Sequence, residues 1–413
     1  MSRRPLVGLV TAQALAYTGT RLALVAIPWF VLETTDSPAR MGLVTLFEMG
    51  AYTLARLFSG PLLDRVGQRA VSVRLDLVAA AALAGVPALH AADLLSLPLL
   101  LALVALVGLA TGPSETAKVS LSPSVATDTG TRLERVTALT GTVDRLSQTV
   151  GPVAAGALVA LVGAIPALAL NAALMVLASA ALATLVPRAR PAPGAAPEED
   201  TGYLSQLYAG WRTVWGDLPL RALITMIMVT NLVDTAVMTI ALPLWVHGHG
   251  LGPEAVGLTA GVLGGGSVLG SFVAVWVGHR LPRRWTFFAA FALSGPPRIL
   301  VLALDAPLWV VLAVWGVGGV GGGLINPILS AAIFERLPGH MVGRGTATVG
   351  ALARLAAPFG APVVGAGITL VGMSPVLVAC SVLYLCAVTV PAFGRAAAGL
   401  ARPEPESAAP EPP

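Results

Sequence analysis

Apolar residues fall into twelve long blocks, separated by short turns rich in Gly, Pro, Asp and Arg. A helix needs about 20 mostly apolar residues to cross the hydrocarbon of a bilayer. The blocks place spans near 6–31, 41–63, 71–91, 97–118, 136–163, 165–187, 219–246, 254–279, 285–304, 307–334, 343–371 and 373–394. The start Ser2-Arg3-Arg4 resembles an export signal, but its apolar run continues through Ala26-Ile27-Pro28-Trp29. It therefore reads as the first span and not as a removed peptide. The expected fold is an all-α membrane protein, with twelve transmembrane helices in two pseudo-symmetric halves of six.

A repeat supports the two halves. Sliding the chain by 209 places Arg135–Gly163 on Arg344–Gly372, and twelve of the 29 positions match. Apolar composition readily supplies the Ala, Leu and Val matches. It does not readily supply Arg135/Arg344, Arg145/Arg354, Gly141/Gly350, Gly151/Gly360, Gly156/Gly365 and Gly163/Gly372. Span 5 thus falls on span 11 in the same direction, a parallel repeat of the kind found in secondary transporters. The expected divisions are 1–187 for the first half, 188–218 for a Pro- and charge-rich cytoplasmic linker, and 219–394 for the second half. A disordered tail is expected over 395–413.

Composition sharpens the class. The chain is 56% apolar and only 11% charged, against about 25% charged in soluble proteins. With the N-terminus inside, 19 of the 25 basic residues fall at the cytoplasmic side, five fall within spans, and only Arg40 falls outside. Such an asymmetry orients a multi-pass protein with both termini in the cytoplasm, so the net charge of +4 is no sign of nucleic-acid binding. Cys380 and Cys386 are six residues apart on one helix and cannot bridge. His247 and His249, without acids or thiols nearby, make a poor metal site; no metal or cofactor is expected.

After span 2 the chain reads Gly60-Pro61-Leu62-Leu63-Asp64-Arg65-Val66-Gly67-Gln68-Arg69. This resembles the loop signature of the major facilitator superfamily, G-x-x-x-D-R-x-G-R-R, with Gln68 replacing one base. The resemblance implies a cytoplasmic latch of Gly60, Asp64, Arg65, Gly67 and Arg69. A helix N-terminus is a suitable partner for Asp64. The matching loop of the second half, His279-Arg280-Leu281-Pro282-Arg283-Arg284, keeps the arginines but has His279 at the Asp64 position. Span 5 contains Gly151-Pro152-Val153-Ala154-Ala155-Gly156, similar to the G-P-x-x-G-G element of exporters in this superfamily. Gly151 and Gly156 suit close helix contact and Pro152 bends the helix; helix packing alone is the alternative. The resemblance implies the twelve-span drug/proton antiporter branch.

Ionisable residues inside spans are costly and usually functional. By 100° per residue, span 1 carries Gln13, Tyr17, Thr20 and Arg21 on one side. Span 2 gathers Glu48, Tyr52, Arg56 and Ser59, and span 7 gathers Asn231, Asp234, Thr235 and Met238. Asp234, roughly 20 Å from the inner surface, is the first candidate for proton coupling, with a permanent pair to Arg21 as its alternative. Glu48 is the second, with Arg56 a possible neutralising base. Arg21, Arg56, Asn231 and Asn326 are cavity candidates. Arg298 is expected to snorkel to the outer surface. Asp144 is expected to neutralise Arg145 or Arg354, and Glu115 to serve loop arginines.

The only lysine, Lys118, follows Ala117, so no G-K-[ST] phosphate loop exists to drive an ATP pump in this chain. The expected function is export of an amphipathic small molecule across the plasma membrane by proton antiport, by a monomer. A facilitator or importer of a polar metabolite is the alternative. A membrane enzyme would need clustered acids, histidines or a nucleophile with its base, which the spans do not contain.

Overall fold

The computed structural model describes residues 3–187, 211–212, 215–277, 280, 282–336 and 342–393. Most of the linker, His279 and the tail lie outside these residues, as do the side chains of Glu335 and Arg344. The described residues form twelve helical rods and no strand. The first half contains α1 (Arg4–Thr35), α2 (Pro38–Leu57, bending at Phe58 into Ser59–Val66), α3 (Gln68–Ala91), α4 (Leu97–Ser120, bending at Leu121 into Ser122–Thr129), α5 (Leu133–Val162) and α6 (Ala164–Leu185). The second contains α7 (Leu218–Ala236, a π turn Val237–Ala241, then Leu242–Gly248), α8 (Pro253–Val277), α9 (Arg283–Ser294 and Pro296–Ala303), α10 (Leu308–Arg336), α11 (Val342–Leu355 and Ala357–Val371) and α12 (Met373–Phe393).

Eleven of the rods are long and apolar enough to span a membrane on their own. The other, α2, carries Arg40, Glu48 and Arg56 and packs between α4 and α11. Local signals set the ends. Ser37 accepts from the Arg40 N–H and Asp217 from the Leu220 N–H, capping α2 and α7, each with proline in the first turn. Gly163 and Gly372 join α5 to α6 and α11 to α12 at φ of +87° and +89°. Side chains are strained in that region, which explains why this repeat-related pair is glycine.

The halves repeat each other in three dimensions. In the first, α1 packs on α5 and α6, α4 on α2 and α3, and α3 on α6. In the second, α7 packs on α11 and α12, α10 on α8 and α9, and α9 on α12. The repeat-related Leu161 and Leu370 are both 82% exposed, an apolar face suited to lipid.

The halves join through α5 against α8 and α2 against α11. A Cβ on Gly156 would lie 2.6 Å from the Pro253 carbonyl oxygen and 2.9 Å from the Gly257 Cα. A Cβ on Gly42 would lie 2.7 Å from the Ala361 carbonyl oxygen, and one on Gly365 would crowd the carbonyl of Pro38. Trp29 of α1 stands edge-on to His247 of α7, with ring centroids 5.8 Å apart. All these contacts lie toward the rod ends opposite the chain termini. Nearer the termini, the repeat-related Gly141 and Gly350 would meet no described atom within 4 Å. Among the described residues, the two halves are apposed at the side of the bundle opposite the termini.

Candidate transport site

Two polar clusters, one in each half, are built from side chains of the candidate membrane spans and of α2. The first begins with a close helix crossing. Gly108 and Gly112 of α4 let the α2 backbone approach: a Cβ on Gly112 would lie 2.6 Å from the Tyr52 carbonyl oxygen, and one on Gly108 2.8 Å from the Tyr52 nitrogen. That approach brings Tyr52 and Arg56 to Glu115. The Tyr52 hydroxyl donates to Glu115 Oε2 at 2.6 Å, Arg56 Nη1 donates to the Tyr52 oxygen at 2.6 Å, and Thr20 donates to Glu115 Oε1 at 3.3 Å. Arg56 Nη1 is 4.0 Å from the Glu115 carboxylate. Beside them Arg21 of α1 faces Asp144 of α5 at 3.9 Å. Glu48, one turn from Tyr52, has no hydrogen bond or ion pair among the described residues.

The second cluster is centred on Asp234, which precedes the π turn of α7; such turns are frequent at functional sites. Arg298 of α9 donates directly to its carboxylate. The Arg298 guanidinium lies 5.4 Å from the Trp315 ring centroid, and Trp315 Nε1 donates to the Arg298 carbonyl at 3.1 Å. The break at Gly295 makes this possible. Glycine is needed there because a Cβ would run into the ring of buried Tyr384, and Pro296 disfavours a continued helix before it. Nearby, Asn231 donates to the Ala353 carbonyl of α11 at 2.8 Å. Asn326 is exposed and joins neither cluster.

The Gly-Pro element of α5 faces two neighbours. Gly156 meets α8, and the Pro152 carbonyl crowds Gly257. A Cβ on Gly151 would lie 2.7 Å from Cγ and 2.8 Å from Cβ of Arg21, so the arginine stem runs across a groove that glycine leaves.

In the loop after α2, Asp64 and Arg65 are exposed. Gly60 lies in the short helix Ser59–Val66, and Gly67 takes φ +87° between that helix and α3. Arg69 turns into its own half. Its Nε donates to the Val186 carbonyl at 2.6 Å and its Nη2 to the Ala183 carbonyl, filling acceptors that the end of α6 leaves open. Arg284 does the same for α12, donating to the Ala392 carbonyl at 2.6 Å.

A family model described as Major Facilitator Superfamily matches residues 9–266 and 224–413. This chain belongs to the major facilitator superfamily. Among its relatives is the multidrug efflux pump Tap of Mycobacterium tuberculosis, 29% identical over 392 residues, which are 93% of this chain and 92% of that protein. Tap of Mycolicibacterium fortuitum is 26% identical, over 87% of this chain and 88% of its own. The fold matches the nucleoside transporter NupG with a TM-score of 0.74 at 13% identity, covering 94% and 98% of the two chains. It also matches the POT family transporter PepTSo, with a TM-score of 0.69 at 12% identity over 94% and 97%.

Within this superfamily member several partners differ from those expected from sequence. Arg298 does not snorkel: it is 4% exposed and holds Asp234, so Arg21 is not the partner of that carboxylate. Asp144 meets Arg21, not Arg145 or Arg354, both of which are exposed. Arg56 serves Glu115, not Glu48, and Glu115 serves no loop arginine among the described residues. Lys118, one of the bases counted at the cytoplasmic side, is buried. It is 1% exposed and donates to Asp76 Oδ1 at 2.8 Å and Ser114 Oγ at 2.7 Å, with Ser72 3.1 Å from Ser114. The Gly108-x-x-x-Gly112 spacing was the available signal for the first cluster.

Proposed function

We propose that the protein exports small amphipathic molecules from the cell in exchange for protons. The observation that carries this reading is similarity over 93% of the chain to relatives named multidrug efflux pumps. The working orientation has both termini in the cytoplasm, as the distribution of arginines favours, and the reading takes the protein as a monomer in the plasma membrane. In that orientation, apposition of the halves at the side opposite the termini corresponds to a state open to the cytoplasm, ready to load. Asp64 and Arg65, exposed on that side, belong to the latch that would hold the opposite state, while Arg69 fixes the end of α6.

Asp234 is the proposed proton carrier, and Arg298 its counter-ion when the proton leaves. A carboxylate that alternates between this base and a proton couples ion movement to the relation between α7 and α9. Glu48 of the first half, without a hydrogen bond or ion pair among the described residues, is the second candidate. Expression in a host lacking its own efflux pumps, followed by accumulation of cationic, neutral and anionic amphiphiles with and without a protonophore, tests the export reading. Lower accumulation that the protonophore abolishes is expected; accumulation equal to the empty host for every compound argues against export. In proteoliposomes, Asp234→Asn is expected to remove substrate-driven proton movement. Unchanged proton counterflow would move the assignment to Glu48.

A further inference from the structure

We propose that Arg21, with Arg56 beside it, is the subsite for an anionic group of the substrate, a carboxylate, and that Asp144 holds the place of that anion in the empty carrier. This rests on the export reading above and adds the substrate's charge and the residues that meet it.

The membrane ion pairs are of two kinds. Asp76–Lys118 and Asp234–Arg298 are closed by direct hydrogen bonds, and in each the base is almost fully buried. Arg21–Asp144 and Arg56–Glu115 stand at 3.9 and 4.0 Å, beyond hydrogen-bond distance. Both arginines are partly open, with side-chain exposures of 24% and 43%. The buried Nε of Arg21, like that of Arg298, has no hydrogen-bond partner among the described residues. An arginine offers five N–H donors in a planar fork that matches a carboxylate, and among the described residues most of the Arg21 fork is unused.

Its position is nevertheless fixed. The stem crosses the groove at Gly151, and Asp144 lies seven residues earlier on the same face of α5. Tyr17 lies one turn before Arg21 on the same side of α1. Asp144 is 40% exposed and returns to water when another carboxylate takes its place on Arg21. Glu115 is tied down by Tyr52 and Thr20, so Asp144 is the exchangeable partner.

The test compares one fluorescent aromatic scaffold as its carboxylate, its neutral methyl ester and its primary amine. Binding to purified protein is measured together with export from cells. Arg21→Gln keeps the stem on Gly151 and removes the charge; Arg21→Ala is the more severe form. In both, the ratio of carboxylate to ester export is expected to fall at least tenfold. Asp144→Asn is expected to tighten carboxylate binding severalfold and leave the amine's affinity behind it. An equal loss for all three analogues in Arg21→Gln, or weaker carboxylate binding in Asp144→Asn, overturns the subsite. If wild type binds and exports the ester and amine but not the carboxylate, the subsite fails and the export reading stands. If it binds the carboxylate and exports none, the export reading fails and the subsite stands.

Discussion

Gly156→Val is expected to slow transport by roughly tenfold or more while the protein remains in the membrane. At this crossing α5 and α8 touch backbone to backbone: the Gly156 Cβ position is 2.6 Å from the Pro253 oxygen and 2.9 Å from the Gly257 Cα. No side-chain rotation relieves such a contact, so the helices must separate. Overpacking of this kind costs about 1–3 kcal/mol, and 1.4 kcal/mol is a factor of ten in an equilibrium. The penalty falls only on the state in which this side is closed, so it biases the access equilibrium and not the stability of either half. The check uses a reporter on the other crossing. Val364, 3% exposed and adjacent to Gly365 on α11, is replaced by cysteine in a background lacking Cys380 and Cys386. Faster labelling of Val364→Cys by an impermeant thiol reagent is expected in the Gly156→Val variant. Unchanged labelling together with unchanged transport would show that this crossing does not control closure.

The second large effect concerns stability. Lys118→Met removes the only described partner of the Asp76 carboxylate apart from Ser114, while Asp76 Oδ2 is already buried without a hydrogen bond. Both members of the pair are 1% exposed, so water does not replace the missing ammonium. Breaking one side of a buried pair costs about 3–5 kcal/mol, whereas removing both charges is often nearly neutral. Lys118→Met alone is expected to lower the melting temperature in detergent by roughly 10 °C and to reduce abundance. Adding Asp76→Asn is expected to restore most of it. Equal melting temperatures for wild type, the single variant and the double variant would mean that the pair contributes nothing.

The buried group of Lys118, Asp76, Ser114 and Ser72 also bears on the candidate transport site. Ser114 adjoins Glu115 in α4, so the contacts of Ser114 and Lys118 with α3 fix the rotation of the helix that presents Glu115 to α2. Gly108 and Gly112 fix how near α2 comes. The loss of either set of contacts is felt at the Tyr52–Glu115 hydrogen bond before it is felt at the second half.

The sequence by itself determined the twelve rods, since span length and apolarity are local quantities set by bilayer thickness. It determined their division into two parallel halves through glycines such as Gly163 and Gly372, whose positive φ leaves little choice of residue. It also determined the loop signature and the faces on which Arg21, Arg56 and Asp234 lie, because a helix turns 100° per residue wherever it sits. The tertiary structure alone decided which charges meet. Asp234 and Arg298 are 64 residues apart, and Lys118 and Asp76 are 42 apart. Their pairing depends on which helices adjoin, how closely glycine lets them approach and how each is rotated. A face calculated for one helix does not contain that information, because a charge in a membrane takes whatever partner the packing brings within reach.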